Sequence, residues 1–109
     1  MRVMHITAFP MTVKVIEIDD VLEAYQGLVD GYIEIVYAKG LRRYAAAMVV
    51  NEEGVLKDLP CNPIASVLYG DYIAGDAVIV GVEGPDFTDV PLELIDEIYD
   101  MLGRGEKDE

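Results

Sequence analysis

The chain has 109 residues, the length of one domain with a modest hydrophobic core. Its apolar fraction of 52% argues against general disorder, although 21 acidic residues outnumber 8 basic ones. The net charge of −13 excludes a passive attraction to nucleic acid or to an anionic membrane. A single cysteine and a single histidine exclude a disulfide framework, a cysteine-based zinc cluster and most histidine-based chemistry, so we expect no cofactor and no metal.

The N-terminal segment lacks the pattern of a signal peptide. His5, Thr7 and Pro10 interrupt any apolar stretch there, and the charged residues Lys14 and Glu17 follow. No apolar run elsewhere approaches the roughly 20 residues that a membrane-spanning helix needs. These patterns predict a soluble cytoplasmic protein without a membrane partner, and one unpaired thiol fits a reducing compartment.

The first quarter of the chain predicts two strands and a helix. Residues 2–8 and 13–18 have the composition and length of strands, with a turn between them. Asp20 and Glu23 form a capping-box pattern, which predicts that a helix begins there. Gly31 is the expected C-terminal stop of this helix.

The middle of the chain predicts further strands. Residues 32–38 alternate in the manner of a strand, and residues 39–43 follow as a loop. Residues 44–50 are apolar on both faces, which is typical of a central strand. Residues 55–56 indicate the start of a short returning strand after a turn.

The last third of the chain predicts a short helix, a strand and a longer helix. Asn62 precedes a proline and is therefore an expected N-cap, with Gly70 as the stop of the short helix. Residues 77–82 form an apolar run with the length of a buried strand. The final helix is expected to begin near Asp89 and to end near Leu102.

This order of elements predicts a single α+β domain over residues 1–103. We expect a mainly antiparallel sheet of about five strands, with two main helices and one short helix. Residues 104–109 are polar and predict a frayed C-terminal tail.

Several segments of the chain resemble a known family. They read DVLEAYQGLVDGYIEIV at 20–36, MVVNEEGVLKDLPCNPIASVL at 48–68, IAGDAVIVG at 73–81 and EGPDFTDV at 83–90. Their most specific pieces are Asn51-Glu52-Glu53-Gly54, Leu59-Pro60 with Asn62, and Gly75-Asp76 before an apolar run. Over roughly residues 20–100 the chain is similar to domain-of-unknown-function family 3846. The resemblance implies a phage, plasmid or bacterial mobile-element setting, and it carries no activity over to particular residues.

The last predicted helix carries an acidic face. Four carboxylates at i, i+3, i+4 and i+7 form one stripe: Glu93, Asp96, Glu97 and Asp100. The opposite, apolar stripe is expected to face the core: Leu92, Ile95, Ile98, Tyr99 and Leu102. Leu94 and Met101 fit that core stripe poorly, so we expect them to flank the acids as an apolar contact for a partner.

A rigid row of carboxylates can imitate a run of phosphates and attract a basic, nucleic-acid-binding protein. Together with the mobile-element setting, this row favours a non-enzymatic binding protein that engages a host protein and does not itself contact nucleic acid. Self-association through the apolar flank stays open. A solvated helix face that keeps the protein soluble is the ordinary alternative.

A local basic segment offers an alternative function. Lys39, Arg42 and Arg43 supply three of the eight bases within five residues. In so acidic a chain they could hold a phosphate or a carboxylate, which favours binding of a nucleotide-like anion. Pairing with neighbouring acids is the ordinary explanation, and no glycine-rich phosphate loop of known spacing is present.

Polar and aromatic residues mark the turns beside the predicted buried strands. Residues 51–54, Asn62 and Asp76 lie where sites often form, but we expect them to make turns and caps through bonds to local backbone. Tyr69 and Tyr72 could line a pocket or an interface, although rim packing is the simpler role.

Catalysis is not predicted. Cys61 lies in a loop and His5 on a strand, far apart in the sequence, and a nucleophile pair would need a third, orienting group and an oxyanion site. We therefore expect a protein that is not an enzyme.

Overall fold

A computed structural model describes residues 1–103 of the chain. The strands of this part are β1 (Arg2–Ala8), β2 (Met11–Glu17), β3 (Ile33–Val36), β4 (Ala46–Asn51), β5 (Ala77–Glu83) and β6 (Asp86–Thr88). Its helices are α1 (Leu22–Val29), α2 (Lys39–Arg42), α3 (Pro63–Tyr69) and α4 (Leu92–Met101). None of these helices is long and apolar enough to cross a membrane. The predicted frayed tail, 104–109, lies outside the described residues.

One antiparallel sheet organises the described residues. Its strands lie in the order β2-β1-β5-β4-β3, and β6 pairs with the C-terminal end of β5. The α+β class and the antiparallel pairing are as the sequence predicts. The described sheet has six strands instead of five because the chain turns back after Glu83 and pairs for three residues, Asp86–Thr88.

Helices cover both faces of the sheet. Met48 and Ile79 lie in the core on the side of α2, α3 and α4, whereas Val49 and Val78 lie on the side of α1. β4 is buried along its whole length, which confirms the prediction of a central strand. Fully burying a side chain of this size contributes about 2 kcal/mol, so the two central strands contribute much of the stability.

The start of α3 follows the sequence prediction. Asn62 Oδ1 accepts a hydrogen bond of 3.1 Å from Ala65 N, and Pro63 occupies the first turn. The helix ends at Gly70, whose φ of 91° lies in the left-handed region that glycine favours.

The ends of α1 differ from the prediction. Val21 is the N-cap and makes no side-chain cap, so the capping box of Asp20 and Glu23 is wrong. Asp20 Oδ1 instead accepts a hydrogen bond of 2.6 Å from the Tyr25 hydroxyl. The left-handed residue at the C-cap is Asp30, one position before the expected stop.

Three further boundaries are corrected. Residues 39–43 were expected as a loop, yet 39–42 form a short helix that the fully buried Leu41 holds against the core. Residues 55–56 lie in an exposed turn and not in a strand. The last helix begins at Leu92, because Pro91 is its N-cap and has an extended backbone.

Candidate protein-binding surface

The four carboxylates of α4 are exposed. Glu93, Asp96, Glu97 and Asp100 all face solvent, while Leu94, Ile95 and Ile98 bury the other side of the helix. This separation of apolar and acidic sides is what anchors a helix to a sheet and leaves its charges outside. The carboxylates therefore project from a supported helix.

Hydrogen bonds join the segment before α4 to β1. Arg2 Nε and Nη2 donate hydrogen bonds of 3.0 and 2.7 Å to Val90 O, and Arg2 N donates one of 2.8 Å to Asp89 Oδ1. Val90 N in turn donates to Arg2 O at 2.9 Å. The N-terminal end of α4 is thereby fixed relative to the sheet.

Bases do not neutralise the α4 carboxylates within residues 1–103. The ion pairs of this part of the chain are the N-terminal amine with Glu17 at 3.2 Å and Lys57 with Glu53 at 3.5 Å. Neither pair includes a residue of α4. In a protein of net charge −13, the carboxylates of α4 therefore add to one another's negative potential.

The apolar residues beside the acids need one correction. Leu94 was expected at the surface but is 2% exposed, and Leu92 was expected in the core but is 62% exposed. The helix is rotated about its axis so that Leu94, Ile95 and Ile98 face the sheet. Leu94 is thereby removed from the predicted contact, and Leu92 takes its place.

Two apolar side chains thus flank the acids. Leu92 stands four residues before Asp96, and Met101, which is 46% exposed, stands four residues after Glu97. Residues at this spacing are neighbours on a helix surface. We call the four carboxylates with Leu92 and Met101 the acidic α4 surface.

A groove of about 210 Å³ separates α4 from α2 and α3. Glu97 and Met101 line it from α4, and Arg43 and Tyr44 line it from the end of α2. Residues of the predicted protein contact and of the predicted anion site therefore meet in one groove.

The basic segment is spread over α2. The Arg43 guanidinium carbon lies 4.8 Å from the centre of the Tyr44 ring, and Arg43 Nη2 donates a hydrogen bond of 2.8 Å to the Tyr44 hydroxyl. Lys39 and Arg42 are exposed and do not line the groove. Of the three predicted anion-binding residues, Arg43 is the one that lines this groove.

A second concave site lies where β3 and β4 meet the loop after α3. This cleft of about 300 Å³ is lined by Glu34, Glu52 and Asp71 together with Tyr69 and Tyr72. The sequence indicated that the two tyrosines could line a pocket. Of the three carboxylates, it indicated Glu52, within residues 51–54, but not Glu34 and Asp71, which are distant along the chain.

One family of proteins matches the chain over all of its described residues. A family model described as a domain of unknown function, DUF3846, matches residues 1–103. The chain belongs to the DUF3846 family. No curated protein matches the chain.

One solved structure shares the fold of this DUF3846 chain. It is the crystal structure of small RNA methyltransferase HEN1, with a TM-score of 0.56 and 16% sequence identity. The match covers 89% of the DUF3846 chain but 15% of the other chain. At this identity the likeness concerns the fold alone.

Residues that carried the resemblance to DUF3846 make structural contacts. Asn51 is buried, and its Nδ2 donates to Val29 O at 3.0 Å and to Asp30 O at 3.1 Å, while its Oδ1 accepts from Glu53 N at 2.7 Å. Asp76 Oδ1 accepts a hydrogen bond of 2.8 Å from the backbone of Ala8.

Two glycines of the same motifs lie at close approaches of the chain. A Cβ at Gly54 would collide with Ala74 O, and one at Gly75 would lie 2.9 Å from Leu59 Cδ1. The expected bonds to local backbone are confirmed for Asn51 and Asn62, which accept from Glu53 N and Ala65 N. Asp76 instead bonds to the distant Ala8, and the sequence did not show such long-range bonds.

Proposed function

We propose that this protein is a non-enzymatic, cytoplasmic binding protein of phage or mobile-element type, which captures a basic host protein through the acidic α4 surface. The exposed row of four carboxylates on an anchored helix carries this proposal. The mobile-element setting comes from the family resemblance, and a basic partner follows from charge complementarity.

The spacing of the row suits a partner that otherwise binds nucleic acid. From Glu93 to Asp100 the helix rises by about 10 Å, in steps of about 4.5, 1.5 and 4.5 Å, so four carboxylates share a length that carries about four phosphates of one DNA strand. One strand of DNA carries a phosphate every roughly 3.4 Å along its helix axis. A lysine- or arginine-lined groove that accommodates phosphates can therefore meet several α4 carboxylates at once.

The apolar flank adds contact area to this electrostatic attraction. Leu92 and Met101 stand at opposite sides of the acids, where a partner can cover them when it binds. Burying apolar area stabilises the bound complex, whereas charges mainly speed the encounter and discriminate between partners.

The proposal is tested by capture from a lysate of the host cell, followed by mass spectrometry and by affinity measurement with the purified partner. Glu93, Asp96, Glu97 and Asp100 are all changed to lysine in the test variant. We expect this variant to lose the partner that the unaltered protein captures, with an unchanged circular dichroism spectrum.

A charge-matched control separates the surface from the net charge. It changes four exposed acids elsewhere to lysine: Asp19, Glu23, Glu83 and Asp86. We expect the control to keep the partner. Equal loss of the partner in both variants would show that net charge alone drives capture, and unchanged capture by the α4 variant would reject the proposal.

Anion binding is the alternative function. One observation favours it, namely the groove beside Arg43 and Tyr44. Its volume lies below the roughly 300 to 1,000 Å³ of ordinary ligand pockets, and Glu97 shares it, so the geometry supports this function less well. If it is right, nucleoside phosphates raise the melting temperature, and alanine at Arg42 and Arg43 removes the rise.

A further inference from the structure

The strand β3 leaves one side of its backbone unpaired. β3 pairs with β4, and within residues 1–103 no strand pairs with its other side. Glu52 N donates a hydrogen bond of 2.8 Å to Tyr32 O just before β3. Because hydrogen-bonded and non-hydrogen-bonded pairs alternate in an antiparallel ladder, the backbone groups of Ile33 and Ile35 point outward, away from β4.

This edge is four residues long and carries one charged side chain, but it lacks the proline and lysine that commonly protect an edge against strand addition. The sequence of β3 is IEIV. Exposed apolar and aromatic side chains accompany it, including Ile35 and the neighbouring Tyr32 and Tyr37. The edge is therefore open to pairing with another extended segment.

The cleft described above lies on one face of the same strand. Glu34 and Val36 of β3 line it, and Val50 of β4 lines it beside them. A strand added to β3 would lie about 4.8 Å away, with every second side chain on this face. Such side chains would lie next to Glu34 and could extend over the cleft.

The side chains that line the cleft favour a positively charged group of a ligand. Glu34, Glu52 and Asp71 contribute three carboxylates, and none of the described residues that line the cleft is basic. The Tyr69 and Tyr72 rings can receive a cation on their faces. The exposed side chains of Val55 and Leu56 add an apolar wall that suits the methylene stem of lysine or arginine.

The walls of the cleft are held in position by contacts elsewhere in the fold. Gly54 approaches Ala74 so closely that a Cβ would collide with the Ala74 carbonyl oxygen. Asn51 anchors the other end of the 51–54 turn to the end of α1. A partner therefore meets a cleft that is already formed, which lowers the entropy cost of binding.

We propose that the β3 edge binds an extended, basic segment of a partner protein as an added strand, with an arginine or lysine side chain of that segment in the cleft. Pairing of two copies through their β3 edges is disfavoured, because it would bring the two sets of cleft carboxylates together. This site is separate from the acidic α4 surface and does not depend on it.

The test uses short, capped peptides as probes and backbone amide resonances of isotope-labelled full-length protein as the readout. The first peptide alternates threonine and valine and has arginine at its centre. A second has uncharged citrulline in place of arginine, and a third is N-methylated on the side that would pair with β3. Arginine amide alone serves as the small-molecule probe.

We expect the arginine peptide to shift the amide resonances of Ile33, Ile35 and Glu52 and to slow hydrogen exchange at Ile33 and Ile35. Glu34→Gln should weaken its binding about threefold, the size of one exposed cross-strand ion pair. Glu83→Gln is the matched control, since Glu83 lies at the opposite end of the sheet from the cleft. It should leave the affinity unchanged.

Four outcomes would overturn the proposal. No shift with any peptide would show that the edge does not accept a strand. Equal binding of the citrulline or the N-methylated peptide would remove the role of the charge or of the backbone pairing. Binding of arginine amide as tight as that of the peptide would reduce the site to a cation pocket. Protection of Ile33 and Ile35 in a free, dimeric protein would identify a second copy as the occupant.

Discussion

Asn62 Nδ2 donates a hydrogen bond of 2.9 Å to Gly75 O and so joins the start of α3 to the loop before β5. The same nitrogen donates to Ile6 O of β1 at 3.0 Å, and Oδ1 caps α3 through Ala65 N. The side chain is fully buried, so no water can replace these partners. One carboxamide thus holds three segments together.

We predict that Asn62→Ala lowers the free energy of unfolding by about 3 kcal/mol, because it removes a cap and leaves two carbonyls without their donor. Urea denaturation measures the change. Asn62→Asp keeps the cap acceptor but lacks the two donors and should not recover the loss. A cost of Asn62→Ala below about 1 kcal/mol would contradict this role.

Gly54→Ala should destabilise the protein by about 1 to 3 kcal/mol, because the new methyl group would collide with the Ala74 carbonyl and the backbone must shift. Gly27→Ala is the matched control. Nothing lies within 4 Å of a Cβ at Gly27, which is inside α1, so alanine there should stabilise the protein by up to about 1 kcal/mol. Thermal denaturation of both variants gives the comparison, and equal effects would refute the close approach.

The rotation of α4 can be tested with two leucines. Leu94→Ala should cost about 3 kcal/mol, since Leu94 is buried against the core, whereas Leu92→Ala should change the stability by less than about 0.5 kcal/mol. Denaturation of the two variants in parallel shows which substitution costs more stability. The reverse ranking would restore the core stripe that the helical periodicity alone predicts.

Tyr25 makes the stability of the folded protein vary with pH in the alkaline range. Burial raises the pKa of its hydroxyl above the ordinary value near 10, and the hydrogen bond to the Asp20 carboxylate and the charge of that carboxylate raise it further. The unfolded chain therefore loses this proton at lower pH than the folded one. The contribution to stability is complete below about pH 10 and is lost as the pH rises toward the folded pKa.

We expect Tyr25→Phe to remove this part of the alkaline decline, so that the stability difference between the two proteins shrinks above about pH 10. Denaturant titrations at neutral and alkaline pH measure it. Parallel curves for the two proteins across this range would show that Tyr25 does not contribute.

Local patterns were sufficient to predict the parts of the fold that depend on neighbouring residues. The cap at Asn62 and the two-sided burial of β4 follow from short stretches of sequence. The rotation of α4 does not, because Leu92 and Leu94 are both apolar and the position of the sheet decides which of them is buried. The helical periodicity therefore predicted the acidic row, but it wrongly predicted that the neighbouring Leu94 is exposed.

The cleft beside β3 depends on pairings that are not local. Glu34 and Glu52 approach through the register of β3 and β4, and Asp71 joins them through the loop after α3. No short sequence motif indicates that these three carboxylates lie close together. The long-range hydrogen bonds of Asn51 and Asn62 escaped prediction for the same reason.

The central claim is that the acidic α4 surface binds a basic protein, and the salt dependence of that affinity tests it most directly. With the captured partner purified, Kd is measured by calorimetry from about 50 to about 300 mM sodium chloride, a range over which screening lengths shorten markedly. We predict that Kd rises about tenfold or more, and that glutamine at Glu93 and asparagine at Asp96 flatten this dependence. A Kd that does not change with salt would contradict the claim that the acidic α4 surface binds a basic protein. A salt dependence of Kd that these two substitutions leave unchanged would contradict it as well.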